Sequence, residues 1–200
     1  MTERLLLATT NTGKTREMQA YLEGLPLQIF TLDALGSLEP FPEHGRTFSE
    51  NARGKSLFYS RLWDGVTLGE DSGLEIDHLG GAPGVVSARF SGPNATAETN
   101  IQKVLDLLTG VPDAKRTARF VSCMALSRQG RVITEIQAQA EGTVLEHRRG
   151  SGGFGYDPIF YYPPLSKTFA ELEPREKNQV SHRGQALGRL RDFLSGVVGS

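Results

Sequence analysis

A chain of 200 residues with 38% hydrophobic and 22% charged side chains suits one medium-sized domain, or two lobes sharing a core. Its net charge of −1 excludes a broadly cationic, nucleic-acid-coating surface, so a polyanionic ligand must meet a local cluster of cations. The single Cys123 excludes an internal disulfide and a multi-cysteine zinc site, and neither a membrane span nor a signal-peptide core is present, so a cytoplasmic protein is expected.

In chain order, Arg4 to Ala8 is apolar on both faces and reads as a central strand of a covered sheet. It runs into Thr9-Thr10-Asn11-Thr12-Gly13-Lys14-Thr15 and then a helical stretch from Arg16 to Leu22. Strand, polar loop and helix in that order either collect phosphate at a helix N-terminus or simply start a capped helix. Gly13-Lys14-Thr15 matches the end of a P-loop, but Ala8 stands where its first glycine belongs, which excludes a Walker-type ATPase. The residual physics is a set of backbone N–H groups, Thr and Asn side chains and the Lys14 ammonium.

Leu27 to Phe30 reads as a second strand, and Glu39 and Glu43 follow in a Pro-rich loop where solvation is the ordinary fate. Thr47-Phe48-Ser49-Glu50 is a capping box that opens a helix running to about Leu62. Phe48, Ala52, Tyr59 and Leu62 form its apolar stripe. Lys55 falls on that stripe, four residues after Asn51, and either snorkels along the core or points into a cleft.

Val66-Thr67-Leu68 reads as a short buried strand leading into Gly69-Glu70-Asp71-Ser72-Gly73-Leu74, the stretch around which the chain is organised. Side chains alternate faces along an extended chain, so Glu70 and Asp71 share one pocket only if the chain turns, and Gly73 is expected to supply the turn. Asp71 is then a candidate to hold a metal or activate a water, with Ser72 bonding an anionic substrate. The alternative is an ordinary polar turn between strands.

Leu74 to Asp77 alternates as a strand, Gly80 to Gly84 is a turn cluster, and Val85 to Phe90 suits a short helix bearing Arg89. Asn94 to Thr96 caps a helix from Ala97 to Leu108 with a core stripe at Ile101, Val104, Leu105 and Leu108. Arg116 to Leu126 and Arg131 to Glu146 are strand-like, with a hairpin turn at Ser127 to Gly130. Aromatic residues embedded in Gly150 to Pro158 argue for an ordered loop over a linker, with Phe154 or Tyr156 offering a ring to a flat ligand. Lys167 to Glu176 reads as a polar connection to the last helix, Ser181 to Leu194. A basic His182-Arg183 pair at that helix's N-terminus opposes its dipole, and Lys177 completes a compact donor set.

Together Thr9 to Lys14, Thr47 to Lys55, Asp71-Ser72-Gly73, Gly80 to Gly84, Ser151 to Pro158 and Ser181 to Gln185 resemble the inosine triphosphate pyrophosphatase family. The resemblance covers almost the whole chain, treated as one domain over residues 1–200. It implies an α/β fold: a mixed, twisted central sheet with flanking helices, in two lobes around a substrate cleft. It implies hydrolysis of ITP, dITP and XTP to the nucleoside monophosphate and pyrophosphate, with Mg²⁺, in a homodimer with no nucleic-acid or membrane partner.

Residue by residue, the resemblance implies that Thr9, Thr10, Asn11, Thr12, Gly13, Lys14 and Lys55 hold the triphosphate. Asp71 matches the proton acceptor and metal ligand, Glu43 a second metal-binding carboxylate, and Ser72 a substrate contact. Phe154, Gly155, Tyr156, Asp157, Lys177, His182 and Arg183 match the nucleoside-binding positions. The chain departs from the family pattern at Glu70, where an aspartate is usual, and at Thr10, where glycine is common. A pyrophosphatase for altered pyrimidine nucleotides needs the same phosphate machinery. A non-catalytic nucleotide sensor would use the same loops, and the paired acids argue against it.

Overall fold

The computed structural model describes residues 2–37 and 39–198. Seven strands form one hydrogen-bonded sheet: β1 (Glu3–Ala8), β2 (Leu27–Thr31), β3 (Val66–Ile76), β4 (Thr117–Arg128), β5 (Arg131–Val144), β6 (Phe160–Tyr162) and β7 (Lys167–Thr168), in the order β2-β1-β3-β4-β5-β6-β7. β1 runs parallel to β2 and β3, whereas β6 is antiparallel to β5 and β7, so the sheet is mixed. The helices are α1 (Thr12–Leu22), α2 (Phe48–Ser60), α3 (Ala97–Leu107), α4 (Pro174–Val180) and α5 (His182–Val198). Among the described residues no helix is long and apolar enough to cross a membrane.

The chain divides into two compact units. The first takes the chain up to Asp71, Ser122–Ala138 and α5 from Gly184 onward. β1 is apolar and buried from Leu5 to Ala8 because both of its faces are covered there. Leu5 and Leu7 pack with Met18 and Leu22 of α1, Leu68 of β3 and Leu187, Leu190 and Leu194 of α5. Leu6 and Ala8, on the opposite face, pack with Tyr59 and Trp63. Burying each such Leu contributes about 1.5–3 kcal/mol. The helix α2 starts where expected, with Thr47 Oγ1 accepting from the Glu50 amide at 3.1 Å, but the reciprocal half of the capping box is not made: Glu50 Oε2 accepts from the Arg46 amide at 2.7 Å, one residue before the cap. The helix stops at Ser60, so Leu62, expected in its apolar stripe, is half exposed beyond the last turn.

One glycine decides how closely α2 lies on the sheet. A Cβ on Gly69 of β3 would run into the Ala52 carbonyl and sit 2.7 Å from the Ser56 amide nitrogen. Both obstacles are helix backbone, which cannot rotate aside.

The second unit comprises Ser72–Val121 and Gln139–Arg183. Its core joins Leu74 and Ile76 of β3, Ile101 and Val104 of α3, Phe120 of β4 and the rings of Phe160 and Phe169. Thr96 caps α3 through a reciprocal bond with Thr99. Arg116 is buried, and its guanidinium is satisfied by the carbonyls of Val144, Leu108 and Leu145 at 2.7, 2.8 and 2.9 Å.

Three expectations are corrected. Asn11 caps α1, so Lys14 lies in the first turn of a helix that begins at Thr12 rather than Arg16. Lys167 to Glu176 is not a plain connection: it holds β7, a 3-10 turn anchored by fully buried Phe169, and the start of α4. β3 runs unbroken from Val66 to Ile76, so Gly73 makes no turn.

Gly69→Ala should destabilise the chain by about 1–3 kcal/mol, read as a lower urea midpoint at unchanged slope. An unchanged midpoint would mean that α2 yields freely at this contact.

Candidate active site

Since β3 does not turn, its two acids point to opposite faces. Glu70 meets Lys14 at 2.7 Å through Oε2, and its Oε1 accepts from Ser122 Oγ at 3.2 Å. Asp71 faces α2, where Asn51 Nδ2 donates to its Oδ2 at 2.9 Å and Lys55 Nζ lies 3.9 Å from Oδ1. The ladder between β1 and β3 closes at Ala8 and Gly69. Both acids therefore follow the last rung beside β1, near the level where its chain leaves for α1. In parallel sheets this is the level at which ligands bind.

Local sequence sets each partner. Asn51 and Lys55 are four residues apart on α2 and so share one face. Asn51 is oriented at both ends, its Oδ1 accepting from the Gly45 amide at 2.8 Å while its amide nitrogen serves Asp71. Lys55 does not snorkel to solvent: its buried ammonium bonds Glu43 Oε1 at 2.7 Å and so bridges the carboxylates of Glu43 and Asp71. At the start of α1, Asn11 Oδ1 accepts from the Lys14 amide at 3.0 Å, and Thr9 Oγ1 accepts from the Asn11 amide at 3.2 Å. Thr10 and Thr12 are exposed, and Gly13 is half-buried.

Burial pushes the Asp71 carboxyl above the usual carboxylate range. Lys55, Lys14 and the Asn51 hydrogen bond pull the other way, and the neighbouring Glu43 charge adds to the rise. Three carboxylates thus gather about two ammonium groups in the first unit. All the donors are oxygens, and Lys55 already supplies positive charge between Glu43 and Asp71. Among the described residues no three His, Cys, Asp or Glu side chains form a ready-made metal cluster. A hard cation that takes one or two carboxylates and completes its shell with water and phosphate, as Mg²⁺ does, fits such a set.

In the second unit the glycine-rich loop is ordered around Asp157. Its Oδ2 accepts from the Phe154 amide at 2.7 Å and from Lys177 Nζ at 2.7 Å. Gly153, at φ +69°, has no room for a Cβ, which would strike that carboxylate. The Phe154 ring is flanked by two cations, Lys177 at 4.9 Å and Arg183 at 5.4 Å from its centroid. Arg183 also donates to Ser72 Oγ at 2.8 Å. His182 is buried and stacks on Phe120, with centroids 4.7 Å apart and planes 10° from parallel. Gly155 is half-buried in the same loop.

Tyr156 departs from the expectation of a stacking ring. It packs in the core, and its hydroxyl donates to the Ser87 carbonyl at 2.8 Å while burial raises its phenol well above the usual range. Phe154 is left as the partly exposed ring of the loop.

Sequence reasoning missed Asn51 as a partner of Asp71, although its shared face with Lys55 was a usable signal. It also missed the Ser122–Glu70–Lys14 chain. No local pattern gives that away, because Ser122 lies 52 residues from Glu70.

The Ham1 family model matches residues 5–193. A dITP/XTP pyrophosphatase of Thermoanaerobacter pseudethanolicus is 43% identical over 191 residues, covering 96% of each chain. A HAM1 protein from Coxiella burnetii has a solved structure that superposes with a TM-score of 0.87 at 39% identity, covering 97% of this chain and 99% of that one. A nucleoside-triphosphatase and dITP/XTP pyrophosphatase from Mycobacterium abscessus gives a TM-score of 0.76 at 36% identity, covering 94% and 97% of the two chains. With the family pattern running from β1 to the last helix, the chain belongs to the Ham1 family.

Proposed function

We propose that the chain is a nucleoside triphosphate pyrophosphatase that hydrolyses dITP, ITP and XTP to the monophosphate and pyrophosphate. The observation that carries the reading is the pairing of Lys14 and Lys55 with buried acids beside the N-terminus of α1. A nucleoside triphosphate carries about four negative charges near neutral pH, and phosphoryl transfer depends on positioning and charge stabilisation. Lys14, Lys55 and the first-turn amides of α1 bind the phosphate oxygens, with Thr9, Thr10, Asn11, Thr12 and Gly13 shaping the approach. Asp71 orients the attacking water and takes its proton as the water adds to the α-phosphorus. Asn51 holds the carboxylate for that step.

Asp71 and Glu43 would hold Mg²⁺, which when bound neutralises phosphate charge and stabilises the departing pyrophosphate. Recognition of the nucleoside falls to Phe154, Gly155, Lys177, His182 and Arg183. Phe154 offers a face to the base, with Gly155 leaving it accessible. Lys177, His182 and Arg183 offer donors to the 6-oxo group that hypoxanthine and xanthine present and adenine lacks. Adenine would leave those donors unpaired, which is a strong ground for rejection. Asp157 fixes Lys177 for this, and Ser72 fixes Arg183. Magnesium dependence, a homodimer and a cytoplasmic location belong to the same reading and rest on the resemblance to the family.

A panel of dITP, ITP, XTP, dATP, dGTP, dTTP and UTP, assayed for monophosphate and pyrophosphate with and without Mg²⁺, tests the activity. The expected result is turnover of the first three only, dependent on the metal, with dGTP, which shares the 6-oxo group, rejected at its 2-amino group. Turnover confined to pyrimidine nucleotides would transfer the site to another substrate class, and binding without release of pyrophosphate would make it a sensor.

Asp71→Asn should abolish dITP turnover and raise thermal stability at neutral pH. The sign follows from the raised folded-state pKa: the native protein pays for a buried charge above that pKa and carries no such cost below the unfolded value. The melting-temperature advantage of the variant, about 2–4 °C per kcal/mol recovered, should therefore shrink as pH falls through the Asp71 pKa. A variant that melts below wild type at pH 7 would contradict the burial cost.

Lys14→Ala should raise KM for dITP by on the order of tenfold or more, with a smaller change in kcat. Unchanged constants would remove Lys14 from the phosphate site.

A further inference from the structure

Glu70 is a buried charge to which the proposed reaction gives no task. Its side chain is 0% exposed, with one carboxylate oxygen 2.7 Å from Lys14 Nζ and the other accepting from Ser122 Oγ at 3.2 Å. The alternation of β3 turns it toward α1, while Asp71 turns toward Asn51 and Lys55 on α2. Lys14 rises from the first turn of α1, whose start Asn11 fixes. We infer that Glu70 is a positioning residue: it holds the Lys14 ammonium at the place where the triphosphate is bound, and it acts through that lysine rather than as a ligand of the metal. The inference rests on the phosphate-binding reading of Lys14 given above.

The physical ground is side-chain entropy. A lysine stem is among the most flexible side chains, and an anion that binds it must order it. The Glu70 contact imposes that order before the ligand arrives. An ammonium group carries three N–H donors, so one can serve Glu70 and two remain for phosphate oxygens. Ser122 fixes the carboxylate from behind, and Ser122 is itself fully buried. Ordering is thus passed from the interior of the sheet to the ammonium through one hydrogen bond and one ion pair.

Two substitutions separate charge from packing. Glu70→Gln keeps the volume and an acceptor for Ser122 but removes the charge, whereas Glu70→Asp keeps the charge and loses a methylene. Both are compared with wild type, with Lys14→Ala and with the Glu70→Gln/Lys14→Ala double variant. The readouts are calorimetric Kd for inorganic tripolyphosphate, KM and kcat for dITP, half-saturation by Mg²⁺, and melting temperature.

Glu70→Gln should weaken tripolyphosphate binding and raise the dITP KM by about tenfold each, the scale of one long side chain's rotamer freedom, with kcat within about twofold. Glu70→Asp should recover most of the affinity, and Glu70→Gln should have no further effect once Lys14 is alanine. Wild-type affinity in Glu70→Gln overturns the inference, as does better binding by Gln than by Asp, which marks a packing role. An undiminished Glu70→Gln effect in the Lys14→Ala background overturns it too, and so does a shifted Mg²⁺ half-saturation at constant KM. Tripolyphosphate has no base and is read without turnover. If dITP is not hydrolysed but the binding cycle behaves as expected, the substrate reading fails while the role of Glu70 stands.

Discussion

Charge removed from water has to be matched, and in this chain that requirement falls on two consecutive residues. Glu70 and Asp71 are both buried in the middle of a strand. Each has an ammonium group brought to it from a helix on its own side of the sheet, Lys14 from α1 and Lys55 from α2. The helix α1 must be capped at Asn11 and α2 must pass close over Gly69 for these lysines to arrive. The capping of one helix and the tight packing of the other are therefore conditions of the site as much as of the fold.

The match is incomplete. Asp71 still has its carboxyl driven upward by burial despite two nearby cations and an amide donor. Such residual strain suits the proton-accepting part proposed for Asp71, since a fully compensated acid is too weak a base to take a proton near neutral pH. On that proposal stability and chemistry pull on Asp71 in opposite directions, and its remaining partners limit the damage. In the second unit the same economy takes a different form. The Asp157 carboxylate satisfies both a loop amide and Lys177, so that one acid braces the glycine-rich loop and steadies a donor beside Phe154.

Much of this was legible from the chain. Local signals are strong where one residue determines a geometry: the cap at Thr47, the cap at Thr96 and the hairpin at Ser127 to Gly130 all fell where their chemistry put them. Lys14, Lys55 and Asp71 were found as candidates because their types suit phosphate and proton chemistry. Gly73 misled, because a glycine beside polar residues reads as a turn, whereas here hydrogen-bonded neighbours keep the chain extended. Tyr156 misled for a similar reason: its position in a glycine-rich loop suggests exposure, but a hydroxyl that can reach the Ser87 carbonyl allows the ring to be buried. The Ser122–Glu70–Lys14 chain was invisible because it joins three separate elements, and no periodicity links residues so far apart.

A further consequence follows from the unbroken course of β3. Its two acids are told apart only by odd and even position, so their identities are guarded by the count of residues from Val66 onward. Deleting a single residue between Val66 and Gly69 would leave the helix sequences and both lysines intact, yet present the glutamate to α2 and the aspartate to α1. The shorter acid would then occupy the station of the longer one, Ser72 would stand where the aspartate belongs, and every apolar side chain beyond the deletion would turn to the opposite face. For this segment, length is as strict a constraint as chemistry.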